Sequence, residues 1–181
     1  LRWGLWGGLG CNFCLCVVFA VVITEPCSSN GAVLRKLGVD FFRLSESRGR
    51  EAACIAASAG GYSYIYKEPF SASKFVKEEP FLEIMSSVLG CESQEPCFIV
   101  GHARLVTNGR QTQNINNQPI RLQDSIAVHN GIIVNDAEIW ANNSNESPST
   151  EVDTEALLSL INKKYKLNQN FEKAAAETFA E

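Results

Sequence analysis

The chain is a succession of short apolar runs separated by polar breaks. Residues 17–23, Val-Val-Phe-Ala-Val-Val-Ile, are rich in β-branched side chains and stop at Thr24-Glu25-Pro26, which predicts a buried strand. Leu34, Leu37, Phe41 and Leu44 recur at helical spacing, and Ser28 and Ser29 can cap the amphipathic helix they imply, which runs through Ser47. Two strand-like runs, 52–58 and 62–67, flank Ala59-Gly60-Gly61 and predict a hairpin. A polar stretch over 71–79 and Pro80 lead into a short helix over 81–89, and Pro96 precedes a strand over 97–104. Apolar runs at 126–129 and 132–134 flank Asn130-Gly131, which on spacing alone reads as another hairpin turn. After a polar loop over 142–150, Asp153 or Thr154 can cap a helix to about Tyr165, and a last helix begins near Asn170. Strands in hairpins and helices in blocks predict an α+β fold with antiparallel sheets.

Composition narrows the function classes. The chain has 181 residues, 45% apolar, with a net charge of -4, which suits one domain with a real core. An acidic chain without a basic run lacks the cationic surplus that displaces counterions from phosphates, so nucleic acid is not an expected partner. Seven cysteines, three of them (Cys11, Cys14 and Cys16) inside an apolar run, do not make a secreted disulfide framework, and a reducing, cytoplasmic compartment is expected. Cys11-x-x-Cys14 lacks the second pair that zinc needs, and His102 and His129 stand apart, so no metal site is expected.

Three segments carry candidate chemistry. Gly101-His-Ala-Arg-Leu-Val-Thr-Asn-Gly109 ends a strand in Arg104 and Thr107, a guanidinium that can grip a carboxylate with a hydroxyl beside it. In Val128-His-Asn-Gly-Ile-Ile-Val-Asn135, the Asn130 amide and the Gly131 N–H can form an oxyanion hole, a role compatible with a turn. Asp153, by default a helix cap, can equally receive an ammonium, and with Arg104 it would clamp an α-amino acid at both charged groups.

These segments, with Ser47-Arg-Gly-Arg-Glu-Ala-Ala-Cys-Ile-Ala56, Asn117-Gln-Pro119 and Asp153-Thr-Glu155, resemble the glutaminase domain of class II glutamine amidotransferases. They occur in the family's order and at its approximate spacing, and Gly-His-x-Arg with His-Asn-Gly-Ile-Ile is most similar to glucosamine-6-phosphate synthase. The resemblance implies an N-terminal nucleophile hydrolase fold, a four-layer αββα sandwich with antiparallel sheets, cut short before its final strands. It implies glutamine as substrate, no cofactor, and an acceptor domain beyond this chain that takes the ammonia, with room for homo-oligomers built through that domain. Arg104 and Thr107 would hold the glutamine α-carboxylate and Asp153 its α-ammonium. Asn130 and Gly131 would form the oxyanion hole, Arg48 and Gly49 would line the nucleophile's surroundings, and His102 and His129 would serve packing and hydrogen bonding. Two departures stand out: Leu105 replaces the tryptophan that follows the arginine in glucosamine-type enzymes, and Cys54 replaces a glycine. Alternatives are the glutaminase part of an asparagine synthetase or phosphoribosyl-pyrophosphate amidotransferase, or an inactive domain that only binds glutamine.

The family's nucleophile is an N-terminal cysteine whose own α-amine is the general base. Cys16-Val-Val-Phe-Ala20 aligns with its Cys-Gly-Ile-Phe-Gly opening, which makes Cys16 the expected nucleophile and 16–181 the expected domain. Residues 1–15 then block it. No charge falls between Arg2 and Glu25, a run long enough to span a bilayer, so an anchor competes with a cleaved propeptide and with a leader that is not native protein sequence. The last is favoured: Met-Cys-Gly-Ile-Phe-Ala read one base out of frame and then restored gives Cys-Val-Val-Phe-Ala. An anchor conflicts with the use of 17–23 as the first strand. The start at Leu1 and the unfinished helical pattern at 171–181 lead us to expect a fragment at both ends.

Overall fold

The computed structural model describes residues 16–24, 31–92, 96–105, 112–143 and 146–180. Its main sheet has the order β1-β4-β2-β3, with β1 at Val17–Ile23, β2 at Ala52–Ala59, β3 at Tyr62–Glu68 and β4 at Cys97–Arg104, and every pairing is antiparallel. The run at 17–23 is thus a strand, and no helix among the described residues is long and apolar enough to cross a membrane. The leader at 1–15 and the expected caps Ser28 and Ser29 lie outside the described residues. Gly60 and Gly61 close the β2-β3 hairpin at φ +57° and +79°, a pair of left-handed conformations that side chains with a Cβ resist.

Side-chain alternation divides this sheet into two faces. Phe19, Val21, Ile23, Ala53, Ile55, Ala57, Cys97 and Ile99 join the apolar core under α1 (Gly31–Ser45), α2 (Ala72–Phe75) and α3 (Glu79–Leu89). Phe42 anchors it, with ring centroids 4.9 Å from Phe19, 5.3 Å from Phe75 and 5.4 Å from Phe81. The expected face of α1 is offset: Leu34, Gly38, Phe42 and Ser45 are buried, whereas Leu44 is 71% exposed. Gly38 decides the rotation, since a Cβ there would lie 3.0 Å from Met85 Cε on α3, so the helix turns its smallest residue to the closest contact.

On the other face, Ser58, Ser63, Phe98 and Val100 share a cleft with Ile126 of a second, two-stranded sheet and with Asp124 and Val128 on either side of that residue's strand. That sheet pairs β5 (Ile120–Leu122) with β6 (Ser125–Ala127), and its Ile120 packs with Val152 and Leu158 at α5 (Thr154–Asn168). Helices, sheet, sheet and helix therefore stack in the expected αββα order. The second hairpin differs from its prediction, because the turn is at Gln123 (φ +56°) and Asp124, while Asn130-Gly131 lies in an irregular segment after β6. Residues 132–134 form no strand. The sequence reading also passed over α2, β5 and α4 (Asp136–Asn142), each short, and it placed α5 and α6 (Phe171–Thr178) correctly.

Candidate active site

The site lies at one end of the second sheet face. Register pairs Val17 with Ala103 and Ala52 with Arg104, so Cys16, one residue before β1, falls opposite Arg104. The next row along holds Val18, His102, Cys54 and Lys67.

Cys16 is half-buried, and its thiol donates to the Leu105 carbonyl at 3.3 Å. The Arg104 guanidinium is near enough for its charge and the Cys16 sulfur to interact electrostatically. Asn130, some hundred residues away in sequence, donates its Nδ2 to the Cys16 carbonyl at 3.0 Å. Three of the expected residues thus meet at one point.

Arg104 is buried, and this lowers its pKa, with Cys16, Cys54 and Glu51 acting in the opposite direction. Its Nη1 donates to the Asn116 carbonyl at 2.5 Å and to Asn117 Oδ1 at 2.7 Å. Both of these acceptors are neutral oxygens, and they fix the orientation of the guanidinium. Lys67 caps the same segment, donating to the Asn117 carbonyl at 2.7 Å. Gly49 is buried against the end of β4, where an added Cβ would lie 2.5 Å from the Ala103 carbonyl oxygen, while Arg48 beside it is exposed. Thr107 lies outside the described residues.

Asp153 stands at the N-cap position of α5 but makes no side-chain cap bond. Its Oδ2 instead accepts the Ile133 N–H at 2.7 Å, which ties the irregular segment to the helix. The default cap reading is corrected here: the side chain accepts from Ile133 and from no N–H of the helix's first turn. The following two residues act in the same way. Thr154 Oγ1 accepts from Gln118 Nε2 at 3.0 Å, and Glu155 takes the N–H and O–H groups of both Ser149 and Thr150. Burial alone would raise the Glu155 pKa, but these donors outweigh it and hold the carboxyl below its ordinary value.

The remaining sulfur and imidazole groups are poor candidates for chemistry. Burial pushes the Cys54 thiol up to about 12, so it stays protonated. Burial and the nearby Arg104 push His102 down to about 3, which keeps it neutral. His102 does pack, at 1% exposure, but neither ring nitrogen has a hydrogen-bond partner, so the hydrogen-bonding half of its expected role fails. His129 Nδ1 is likewise unpartnered, and its ring crowds Gly131, where an added Cβ would lie 2.7 Å from Nε2. Sequence reasoning placed Gln118 only within the matching segment Asn117-Gln-Pro119 and Thr154 only within Asp153-Thr-Glu155 and as an alternative helix cap, and it did not foresee their bond. The sequence offered only the run of amides Asn116-Asn117-Gln118 before Pro119, and their burial is visible in the structure alone.

No protein-family model and no curated protein matches the chain in sequence. Solved structures match in fold. Glutamine phosphoribosylpyrophosphate (PRPP) amidotransferase from B. subtilis, complexed with ADP and GMP, superposes with a TM-score of 0.61 over 90% of this chain at 21% identity. A structure described as the allosteric regulatory enzyme of purine biosynthesis gives 0.59, again over 90% and at 21% identity. The chain has the N-terminal nucleophile hydrolase fold. It spans about a third of the length of either neighbour, 32% in both cases.

Proposed function

We propose that this chain is the glutaminase domain of a glutamine-dependent amidotransferase, with Cys16 as nucleophile. The observation that carries the proposal is the meeting of Cys16, Arg104 and Asn130 at one end of the second sheet face, in a fold shared with glutamine PRPP amidotransferase. Arg104, with Thr107, binds the glutamine α-carboxylate, and the second carboxylate oxygen of Asp153 faces its ammonium. Cys16 Sγ attacks the side-chain amide carbon as the residue's own α-amine takes the thiol proton. Asn130 Nδ2 and the Gly131 N–H stabilise the resulting oxyanion. The tetrahedral species expels ammonia, protonated by the same amine, and leaves a thioester that water hydrolyses to glutamate.

The amine exists only when Cys16 is N-terminal, so the base requires removal of residues 1–15 or their absence from the native product. The acceptor is read as a sugar phosphate. The sequence resemblance favours a glucosamine-6-phosphate synthase, whereas the structural neighbours favour the phosphoribosyl-pyrophosphate alternative; both acceptors are phosphorylated sugars.

The test is ammonia release from glutamine by the full chain and by a chain beginning at Cys16, each against its Cys16→Ala variant. The form beginning at Cys16 is expected to release ammonia and the other three are not. Equal rates from the short form and its alanine variant, with glutamine still bound, would instead establish a non-catalytic glutamine-binding domain.

A further inference from the structure

We propose that Gln118 is a positioning residue for the oxyanion donors, bracketing the 129–133 segment against the first residues of α5. The inference rests on the glutaminase reading. Gln118 is buried, its Oε1 accepts the His129 N–H, and its Nε2 donates to Thr154 Oγ1 at 3.0 Å. These partners fix the amide's orientation, because a backbone N–H can only donate and so must face the carbonyl end. At the other end of the segment, Asp153, next to Thr154, accepts the Ile133 N–H at 2.7 Å. Asn130 and Gly131 lie between the two ties, in a stretch with no helix or strand to hold it.

The ties matter because an oxyanion hole works through donors already aimed at the developing charge, and slack in the supporting shell removes much of that advantage. Gln118 also joins the two halves of the site. The residues just before it, Asn116 and Asn117, hold the Arg104 guanidinium, so one short segment sets both the carboxylate grip and the oxyanion donors. The competing account is that Gln118 only satisfies buried polar groups and so contributes stability. That account predicts no separation of kcat from KM.

The test uses Gln118→Leu, which removes both bonds, and Gln118→Glu, whose carboxylate accepts from His129 N–H and from the Thr154 hydroxyl. Amide hydrogen exchange over 128–134 in the full chain is expected to quicken at least roughly tenfold in Gln118→Leu and to stay near wild type in Gln118→Glu. In the form beginning at Cys16, its fold verified by the same exchange map, Gln118→Leu should lower kcat by about 10–100-fold with KM for glutamine within about twofold. Gln118→Glu should recover most of that loss. Unchanged exchange in Gln118→Leu, a loss confined to KM, or equal losses in the two variants overturns the inference. If Gln118→Leu does not fold, Thr154→Val removes the acceptor of Gln118 Nε2 and carries the same expectations at a smaller size. A wild-type short form that releases no more ammonia than its Cys16→Ala variant overturns the glutaminase reading itself, while the exchange comparison still decides whether the bracket exists.

Discussion

Asp153 holds a loop through one carboxylate oxygen, and the proposed glutaminase reading gives the same carboxylate a substrate ammonium to bind. Its Oδ2 is committed to the Ile133 N–H, so the charge and the acceptor are separable by substitution. Asp153→Asn keeps an acceptor for Ile133 and should shift the melting temperature little, yet raise the glutamine KM at least tenfold by removing the partner of the ammonium. Asp153→Ala should also destabilise by about 1–3 kcal/mol, because the Ile133 N–H is left unsatisfied. An unchanged KM in Asp153→Asn would leave the residue with the structural role alone. Glu155 gives a prediction in pH. Its folded pKa lies below the ordinary carboxylate value, so its stabilising contribution is present above that value and is lost as pH falls through the folded pKa. Glu155→Gln should therefore lessen the acid dependence of denaturant unfolding below about pH 4.5, the ordinary value, while costing stability at neutral pH. The residue types in these roles were legible in the sequence. Their partners were not, because Ile133, Ser149 and Thr150 meet them only when the loops fold back onto α5.

At the level of elements, the hydrophobic pattern fixed where helices and strands lie more firmly than which way they face. The strand at 97–104 and the hairpin around Gly60 and Gly61 match their predictions, since period-two patterning and the paired glycines are local properties. The face of α1 and the turn at Asn130 do not. Two stripes of α1 have helical spacing, and contact with Met85 and the aromatic cluster selects the one through Gly38 and Phe42. The contrast is measurable: Leu44→Glu should stay within about 0.5 kcal/mol of wild type, while Phe42→Ala should cost about 3–5 kcal/mol by cavity formation. Gly49 makes the same point in a turn. Gly49→Ala must push the turn away from the Ala103 carbonyl, an overpacking cost of about 1–3 kcal/mol that also moves the backbone carrying Arg104. Urea denaturation of the three variants checks all of these costs.

Across the whole molecule, stacking the layers puts the polar row of the second sheet face out of water, and His102 bears the consequence. Its folded pKa of about 3 lies below the ordinary 6.5, so the unfolded chain binds a proton that the folded one refuses. Stability should then begin to fall as pH drops below about 6.5 and keep falling toward 3, and His102→Leu should flatten that part of the profile. A profile that is the same with and without the imidazole would mean that His102 protonates freely in the folded state. By itself the sequence determined the longer helices and strands, the α+β class with antiparallel sheets and the residue types of the site, because periodicity, turn chemistry and motif spacing are written along one chain; the αββα layering was an expectation of the family resemblance. Only the tertiary structure decided that Cys16 and Asn130 touch, that Asp153 and Gln118 hold the loop between them, and that Arg104 is fixed by neutral oxygens. Those contacts join different elements and loops, from eleven to more than a hundred residues apart, and which of several available donors and acceptors meet is settled by packing and not by local propensity.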